Sequence, residues 1–167
     1  TTYIRDITLY PQSAERSLSL DGTPLAFHPQ APLLAMHATV SSTQEQHLTI
    51  LNLETEERSP LIISTQQTPS SIFFSDEDLR SLVVTDDKAQ ARMTFTLFSE
   101  HTVDAIMAID EVTSTLTRVD WVPGLLREDS IPYVQIGTSI WKIQKGAPEP
   151  VHELSSAQSP WFMAERG

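Results

Sequence analysis

The sequence predicts an all-β fold made of propeller-type blades, each a four-stranded antiparallel sheet, in an incomplete ring. Aromatic residues recur at Phe27, Phe74 and Trp121, a spacing of 47 residues each time. A fixed period of about 40–50 residues with several strands per period is typical of propeller blades. Short apolar runs between turn residues fill each period, and no long run has the spacing of an amphipathic helix. A β-sandwich is the alternative, because it also places short strands between turns, but the period favours blades.

The chain divides into a leading segment and a set of repeats. Residues 1–22 are predicted to form a leading strand segment, and residues 23–167 are predicted to hold three propeller-like repeats plus the start of a fourth. The three repeats run over about 23–69, 70–116 and 117–160, and the fourth opens at 159–164. The next aromatic of the period would fall at 168, one place past residue 167. Three repeats are fewer than the roughly four to eight blades of a closed propeller.

The first two segments contain five predicted strands. Residues 3–10 are rich in β-branched and aromatic types, which favour strands. Repeat one begins with a short buried strand at 25–27 and a nearly continuous apolar run at 33–38, the pattern of a strand buried on both faces. Mixed alternation at 48–53 predicts the third strand, and residues 61–63 are predicted to form the fourth.

Repeat two has the same order of elements. Its predicted strands lie at 71–74, 82–84, 93–98 and 103–109. The third of these alternates with period two, so one of its faces is polar. The fourth has residues at helical spacing, but its β-branched residues and its place in the repeat favour a strand.

Repeat three completes the series. Its predicted strands lie at 116–121, 133–136, 139–143 and 151–154, and Gly137-Thr138 forms a tight turn between the second and the third. A blade of this kind is apolar on both faces and cannot bury them alone, so neighbouring repeats must stack.

Several stretches of the chain resemble WD-repeat blades. AFHPQAPLLA (26–35) and HLTILNLETEE (47–57) are similar to the opening and the third strand of such a blade. The later units that carry the resemblance are SIFFSDEDLRSLVVTDD, TRVDWVPG and YVQIGTSIWKI. Asn52-Leu53, Leu97-Phe98 and Lys142-Ile143 stand where the Trp-Asp dipeptide would be, and a TolB-like repeat is the alternative. The resemblance implies a divergent propeller that serves as a scaffold for protein contacts and is not an enzyme.

The composition narrows the classes of partner. The formal net charge is −11, with 22 acidic and 11 basic residues, so direct binding of a nucleic acid backbone is disfavoured. An acidic surface favours solubility and a basic patch on a protein partner.

No apolar run reaches the roughly 20 residues of a membrane span, and no signal peptide is visible. Cysteine is absent, which removes disulfides and cysteine-ligated metals. These features leave the compartment unknown, with a cytoplasmic location favoured.

No residue pattern predicts a catalytic, cofactor-binding or metal site. His28, His37 and His47 are the candidate metal ligands, but no acidic residue has a matching spacing and the H-x-x-x-H pattern is absent. The acidic turns at 75–78 and 86–87 lack the central glycine of a calcium loop. Neither a G-x-S-x-G elbow nor a glycine-rich phosphate loop is present. No cofactor is expected.

The tryptophans are the candidate anchors for a partner. Trp121 lies on a predicted first strand and is expected in the core. Exposed aromatic residues often carry binding energy, so Trp141, Trp161 and Tyr133 are the candidate partner-binding residues, although core packing is the simpler interpretation of each tryptophan.

The function predicted from the sequence is therefore a non-catalytic protein–protein interaction scaffold within a larger assembly. A protein partner or a second copy of the chain would complete the propeller. Two alternatives stay open: a β-domain that binds a small ligand or a carbohydrate, and the non-catalytic section of a propeller enzyme.

Overall fold

A computed structural model describes residues 2–4, 16–18, 22–40, 45–63, 68–124 and 129–156 of the chain. These residues form fourteen β-strands, and none of them is helical. Strands β1 (Thr2–Ile4) and β2 (Arg16–Leu18) pair as a two-stranded antiparallel sheet. The predicted strand at 3–10 is described only as far as residue 4, and the rest of that prediction lies outside the described residues.

Blade one is a four-stranded antiparallel sheet whose strands lie side by side in chain order. It consists of β3 (Thr23–Phe27), β4 (Leu33–Val40), β5 (Glu45–Asn52) and β6 (Arg58–Leu61). The central pair is the most regular, with β4 and β5 in register from Leu33 opposite Asn52 to Val40 opposite Glu45.

Blade two repeats this arrangement, and its first and last strands are longer than those of blade one. It consists of β7 (Pro69–Phe74), β8 (Arg80–Asp87), β9 (Arg92–Ser99) and β10 (Thr102–Ile109). A two-residue turn joins β9 to β10, since Ser99 pairs with Thr102.

Blade three is the third four-stranded sheet, and its last two strands are shorter than those of blade two. It consists of β11 (Leu116–Val122), β12 (Ile131–Ile136), β13 (Ser139–Lys142) and β14 (Pro150–Glu153). Gly137, with φ of 60°, lies in the predicted two-residue turn between β12 and β13; glycine takes this conformation without the strain that a side chain adds.

The all-β class with propeller-type blades is confirmed, and the ring formed by the described residues is incomplete. Each of the three sheets is a meander of four consecutive strands. A β-sandwich would instead distribute consecutive strands over two facing sheets through Greek-key connections, so that alternative is wrong.

The blades stack through two apolar clusters. Between blades two and three lies a cluster that includes Val84, Phe95 and Met107 of blade two and Val134 of blade three. Between blades one and two lies a second cluster, which includes Ile50 of blade one and Ile72, Val83 and Phe98 of blade two. Alternate residues of β8 thus serve different neighbours, since Val84 faces blade three and Val83 faces blade one.

One strand lies at a different place from the prediction. The fourth strand of blade one was expected at 61–63 but runs over Arg58–Leu61. Because β6 is the edge strand of its sheet, it needs few apolar residues, and Pro60 is tolerated there, as proline is at sheet edges. Ile62, which the prediction placed in the strand, is 77 % exposed.

Candidate functional site

The first strands of the three blades line one open cavity. β3, β7 and β11 are each an edge strand of their sheet, and together with the residues that follow them they enclose a volume of about 600 Å³, here called the inner cavity. The lining side of each strand is not paired within its own sheet, so it presents backbone donors and acceptors as well as side chains. The lining consists of Ala26, Phe27, Pro29, Ile72, Phe73, Phe74, Asp76, Arg118, Val119, Asp120, Trp121, Val122 and Pro123.

The aromatic residues of the 47-residue period meet in this cavity. Phe27 and Phe74 are the last residues of β3 and β7, and Trp121 is the next to last of β11. All three line the inner cavity, and Phe27 is 56 % exposed. Trp121 is partly buried. It packs against the cluster between blades two and three, and it also lines the inner cavity.

Charged groups stand beside these rings. Arg118 Nε donates to Asp120 Oδ2 at 2.7 Å, and this pair is partly exposed. Asp76, at the turn after β7, also lines the cavity and is exposed. Among the described residues no ion pair holds Asp76, so the cavity has one carboxylate whose charge is not offset.

A hydrogen-bond network, here called the turn network, joins the turn after β7 to the residue that precedes β12. The Ser130 amide and hydroxyl both donate to Asp78 Oδ2, at 2.9 and 2.5 Å. The other carboxylate oxygen, Oδ1, accepts from the Arg80 amide at 3.0 Å. Ser75 Oγ lies 2.7 Å from Ser130 Oγ; since the Ser130 hydroxyl proton is given to Asp78, the Ser75 hydroxyl donates in this contact.

The guanidinium of Arg80 extends the turn network. Its Nη1 donates to the Ser130 carbonyl at 2.7 Å, and its Nη2 donates to Asp104 Oδ2 on β10. Burial raises the pKa of Asp78, but the hydrogen bonds from Ser130 and Arg80 outweigh it, so the pKa of this carboxyl lies below its ordinary value. Ser75 and Ser130 are 0 % and 3 % exposed, which keeps their hydroxyls from solvent and gives the network a structural role between blades two and three.

The three candidate histidines lie on or beside different strands of blade one. His28 is buried, and its Nδ1 accepts the amides of Gln30 and Ala31 at 3.1 and 2.9 Å. Its ring also lies 5.1 Å from the ring of Phe74, centroid to centroid. His37 and His47 lie on β4 and β5. Within the described ranges no three metal-ligating side chains come together.

The candidate partner-binding residues are not brought together. Trp141 lies on β13 on the same face as its cross-strand neighbour Val134, packed against the cluster between blades two and three. Tyr133 lies on the other face of blade three, where Lys142 is its cross-strand neighbour. Burial raises the pKa of the Tyr133 hydroxyl. Trp161 lies outside the described residues. The role of these three residues in binding stays a prediction.

The sequence did not single out the turn network or the inner cavity as sites. Asp78 was noted only as part of an acidic turn, and its main partner is 52 residues away, so no local pattern could join them. The 47-residue aromatic period was the one signal for the cavity, and its spatial meaning depends on blade stacking.

Comparison with known proteins places the fold. No family model and no curated protein matches the chain. Among solved structures the chain is similar to the β-propeller domain of the Trilobed protease from Pyrococcus furiosus, described as having an open velcro topology, with a TM-score of 0.56 and 16 % sequence identity. The match covers 85 % of this chain and 46 % of that one, so the chain spans about half the length of that structure. Over the described residues no helix is long and apolar enough to cross a membrane. The similarity shows a propeller-like fold.

Proposed function

We propose that the chain is a non-catalytic protein–protein interaction scaffold, a partial β-propeller that a protein partner or a second copy completes within a larger assembly. The observation that carries this proposal is the inner cavity, where the edge strands and the periodic aromatic residues of all three blades meet. We also propose that the blades are of a WD-repeat-like or TolB-like type.

The blade count supports completion by another protein. Propellers bury the faces of their blades by closing a ring of about four to eight, and the described residues supply three. Blade three packs its Val134 face against blade two, which leaves the face with Tyr133 and Lys142 as the side on which a further blade would stack.

The chemistry of the inner cavity supports a peptide-like occupant of basic character. Four aromatic residues, Phe27, Phe73, Phe74 and Trp121, supply apolar surface of the kind found at binding hot spots. The free sides of the edge strands can pair with an extended backbone, the mode called β-augmentation. The unpaired Asp76 and the net charge of −11 favour a partner segment with lysine or arginine.

Two observations keep the alternative functions in view. The inner cavity, at about 600 Å³, falls in the range of roughly 300–1,000 Å³ that small-ligand sites occupy, which favours a ligand- or carbohydrate-binding domain as the second candidate. The similar structure is a domain of a protease, which favours the non-catalytic section of a propeller enzyme as a third.

The mass of the purified chain in solution tests completion by a second copy. We expect light scattering at micromolar concentration to give about twice the 18.7 kDa of one chain, or to give a single chain that gains mass when its native partner is added. A single chain that stays monodisperse and takes up no partner would contradict the scaffold function, because stacked blades require a neighbour.

Truncation of the cavity aromatic residues tests the binding surface. We expect Phe27→Ala and Trp121→Ala each to weaken binding of a labelled Lys/Arg-rich peptide by about tenfold or more, because a hot-spot aromatic residue contributes about 2 kcal/mol. The measurement is fluorescence anisotropy against a peptide library, with acidic peptides of the same length as the reference.

Ile106→Ala is the matched control. Ile106 is 58 % exposed, close to the 56 % of Phe27, but it lies on β10 outside the inner cavity. Its loss should leave peptide affinity within about twofold. Equal weakening by Ile106→Ala and Phe27→Ala would show that the peptides bind elsewhere. Binding of sugars in place of peptides would favour the second candidate.

A further inference from the structure

A second cavity lies between blades one and two and is here called the carboxylate pocket. It encloses about 270 Å³. Two glutamates line it: Glu57, in the connection between β5 and β6, and Glu100, in the turn between β9 and β10. These connections are equivalent in the two blades, since each joins the third strand to the fourth. Both glutamates are exposed, which places their charges at the mouth of the pocket.

The negative charge at this mouth is not offset by a cation. Neither glutamate forms an ion pair with a described residue, and the part of the lining that the structure describes contains no lysine or arginine. Arg58 follows Glu57 in the chain, but its cross-strand neighbour is Leu51, so it lies on the face of blade one that points away from blade two. The other titratable residues of the lining are His28 and His101. The two carboxylates are therefore available to a cationic ligand.

The walls inside the mouth are apolar. Leu33 and Ile50 come from blade one, and Phe74 and Leu79 come from blade two and the turn that follows β7. Ile50 belongs to the cluster between blades one and two, and Leu33 and Phe74 pack against that cluster, so these side chains face the pocket from both sheets. An aromatic ring such as that of Phe74 also attracts a cation. A ligand that fits these walls needs an apolar body.

Ser81 supplies a buried polar group inside the pocket. It lies on β8, paired with Phe74 on β7 and with Phe98 on β9, so its side chain is on the face toward blade one. Ser81 is 2 % exposed and lines the pocket. Its hydroxyl has no hydrogen-bond partner among the described residues, whereas the buried hydroxyls of Ser75 and Ser130 bond to each other. Buried polar groups are ordinarily satisfied, so a polar group of a ligand would complete this one.

From these three features we propose that the carboxylate pocket binds a small primary amine whose apolar body carries a hydroxyl group at its far end. The ammonium group sits at the exposed mouth beside Glu57 and Glu100, which avoids the cost of burying a charge fully. The apolar body lies between the two sheets, and the far hydroxyl pairs with Ser81. The volume is near the lower end of the roughly 300–1,000 Å³ that small-ligand sites occupy, so the ligand is about the size of one ring with a short side chain.

This site is separate from the inner cavity and does not depend on the scaffold function. Phe74 is the one residue that lines both cavities within the part of the chain that the structure describes. Phe27 lines the inner cavity alone. A Phe27→Ala chain should therefore keep its affinity for the amine within about twofold, even though the same change is expected to weaken peptide binding.

Nuclear magnetic resonance titration of the full chain with tyramine at low salt tests the proposal. Tyramine has an ammonium group and a hydroxyl at opposite ends of one ring. We expect saturable shifts of the Ser81 and Glu100 amide signals in the wild-type chain. Glu57→Gln/Glu100→Gln should weaken binding about three- to tenfold, because two charge interactions at an exposed site are removed. Both residues are exposed, and either single change should give a smaller loss in the same direction, which keeps the test available if the double variant does not fold.

The hydroxyl of Ser81 is tested by a comparison of two amines. Phenethylamine lacks only the hydroxyl of tyramine, and it should bind the wild-type chain about fivefold more weakly, the effect of one hydrogen bond. In Ser81→Ala the two amines should bind with affinities within about twofold of each other. Because the Ser81 hydroxyl has no partner among the described residues, its loss should leave the urea midpoint of unfolding unchanged, which a structural hydroxyl would not.

The control variant separates specific binding from general attraction to an acidic chain. Glu54→Gln removes the same charge three residues before Glu57, at an exposed position outside the pocket lining, and should leave affinity within about twofold. No saturable shift in the wild-type chain, or an equal loss in Glu54→Gln and Glu100→Gln, would overturn the site. Phenethylamine that bound as tightly as tyramine to the wild-type chain would overturn the assignment of Ser81. Para-ethylphenol, which lacks the ammonium group, would overturn the role of the carboxylates if it bound as tightly as tyramine.

Discussion

Replacing Phe95 with alanine should lower the free energy of unfolding by about 3–5 kcal/mol, the range for large-to-small changes in protein cores. Phe95 is 0 % exposed and lies in the cluster between blades two and three. It is in the middle of β9, paired with Val84 on β8 and Met107 on β10. Because β8 and β10 flank β9 and hold the neighbouring side chains in place, the space that the phenyl ring leaves should collapse only in part.

Urea unfolding followed by circular dichroism gives the magnitude. Phe27→Ala is the matched control, since it removes the same side chain from a position that is 56 % exposed, and it should cost less than about 1 kcal/mol. A similar loss in both variants would mean that Phe95 does not stabilise the stack of blades. Because the cluster spans two blades, we also expect hydrogen exchange in β12 to speed up in Phe95→Ala.

Replacing Asp78 with asparagine should lower the free energy of unfolding by about 2–3 kcal/mol, since hydrogen bonds to a charged acceptor contribute about that much. The carboxylate accepts from the Ser130 amide, the Ser130 hydroxyl and the Arg80 amide. An asparagine of the same shape would direct an NH2 group toward one of these donors, and it would carry no negative charge. The turn after β7 and the start of β12 would then be less tightly joined.

The pH dependence of stability should identify the same group. The pKa of Asp78 is lowered in the folded protein, so its contribution is present above the unfolded pKa of about 3.9 and is lost as the pH falls through the lower folded pKa. The wild-type chain should therefore lose stability from this group below about pH 4. Asp78→Asn should lack that component of the acid dependence.

Asp76→Asn provides the reference for both measurements. Asp76 lies two residues earlier in the same turn but is exposed, and its replacement should change the free energy of unfolding by less than about 0.5 kcal/mol. An acid profile of Asp78→Asn that matched the wild type would assign the acid sensitivity to other carboxylates.

The regular part of the fold followed from the sequence because each blade is made of local pairings. Apolar runs such as 82–84 and 93–98 lie within β8 and β9, where stacking on both sides of the sheet demands apolar residues. The strand β6 was misplaced because an edge strand is not under that demand, and Arg58 and Pro60 give no strand signal.

The candidate sites were harder to predict because they depend on contacts between blades. Asp78 and Ser130 meet only when blades two and three stack, and no motif around either residue indicates this contact. Tyr133 and Trp141 lie on neighbouring strands of blade three but on opposite faces, which their proximity in the sequence does not reveal, and their role in binding stays a prediction. The 47-residue period placed Phe27, Phe74 and Trp121 at equivalent positions of the repeats, but only the stacked blades show that all three line the inner cavity.

The chain-order pairing of every described blade has a consequence for folding and for evolution. Since no described sheet borrows a strand from another, the four strands of each blade pair within its own 40 or so residues, and docking on a neighbour then buries the apolar faces of the blade. Duplication or deletion of one such unit would then change the number of blades without altering any strand pairing inside the others. The width of the inner cavity would change with the number of blades around it, so gain or loss of whole repeats would also change the size of the segment that the cavity can admit.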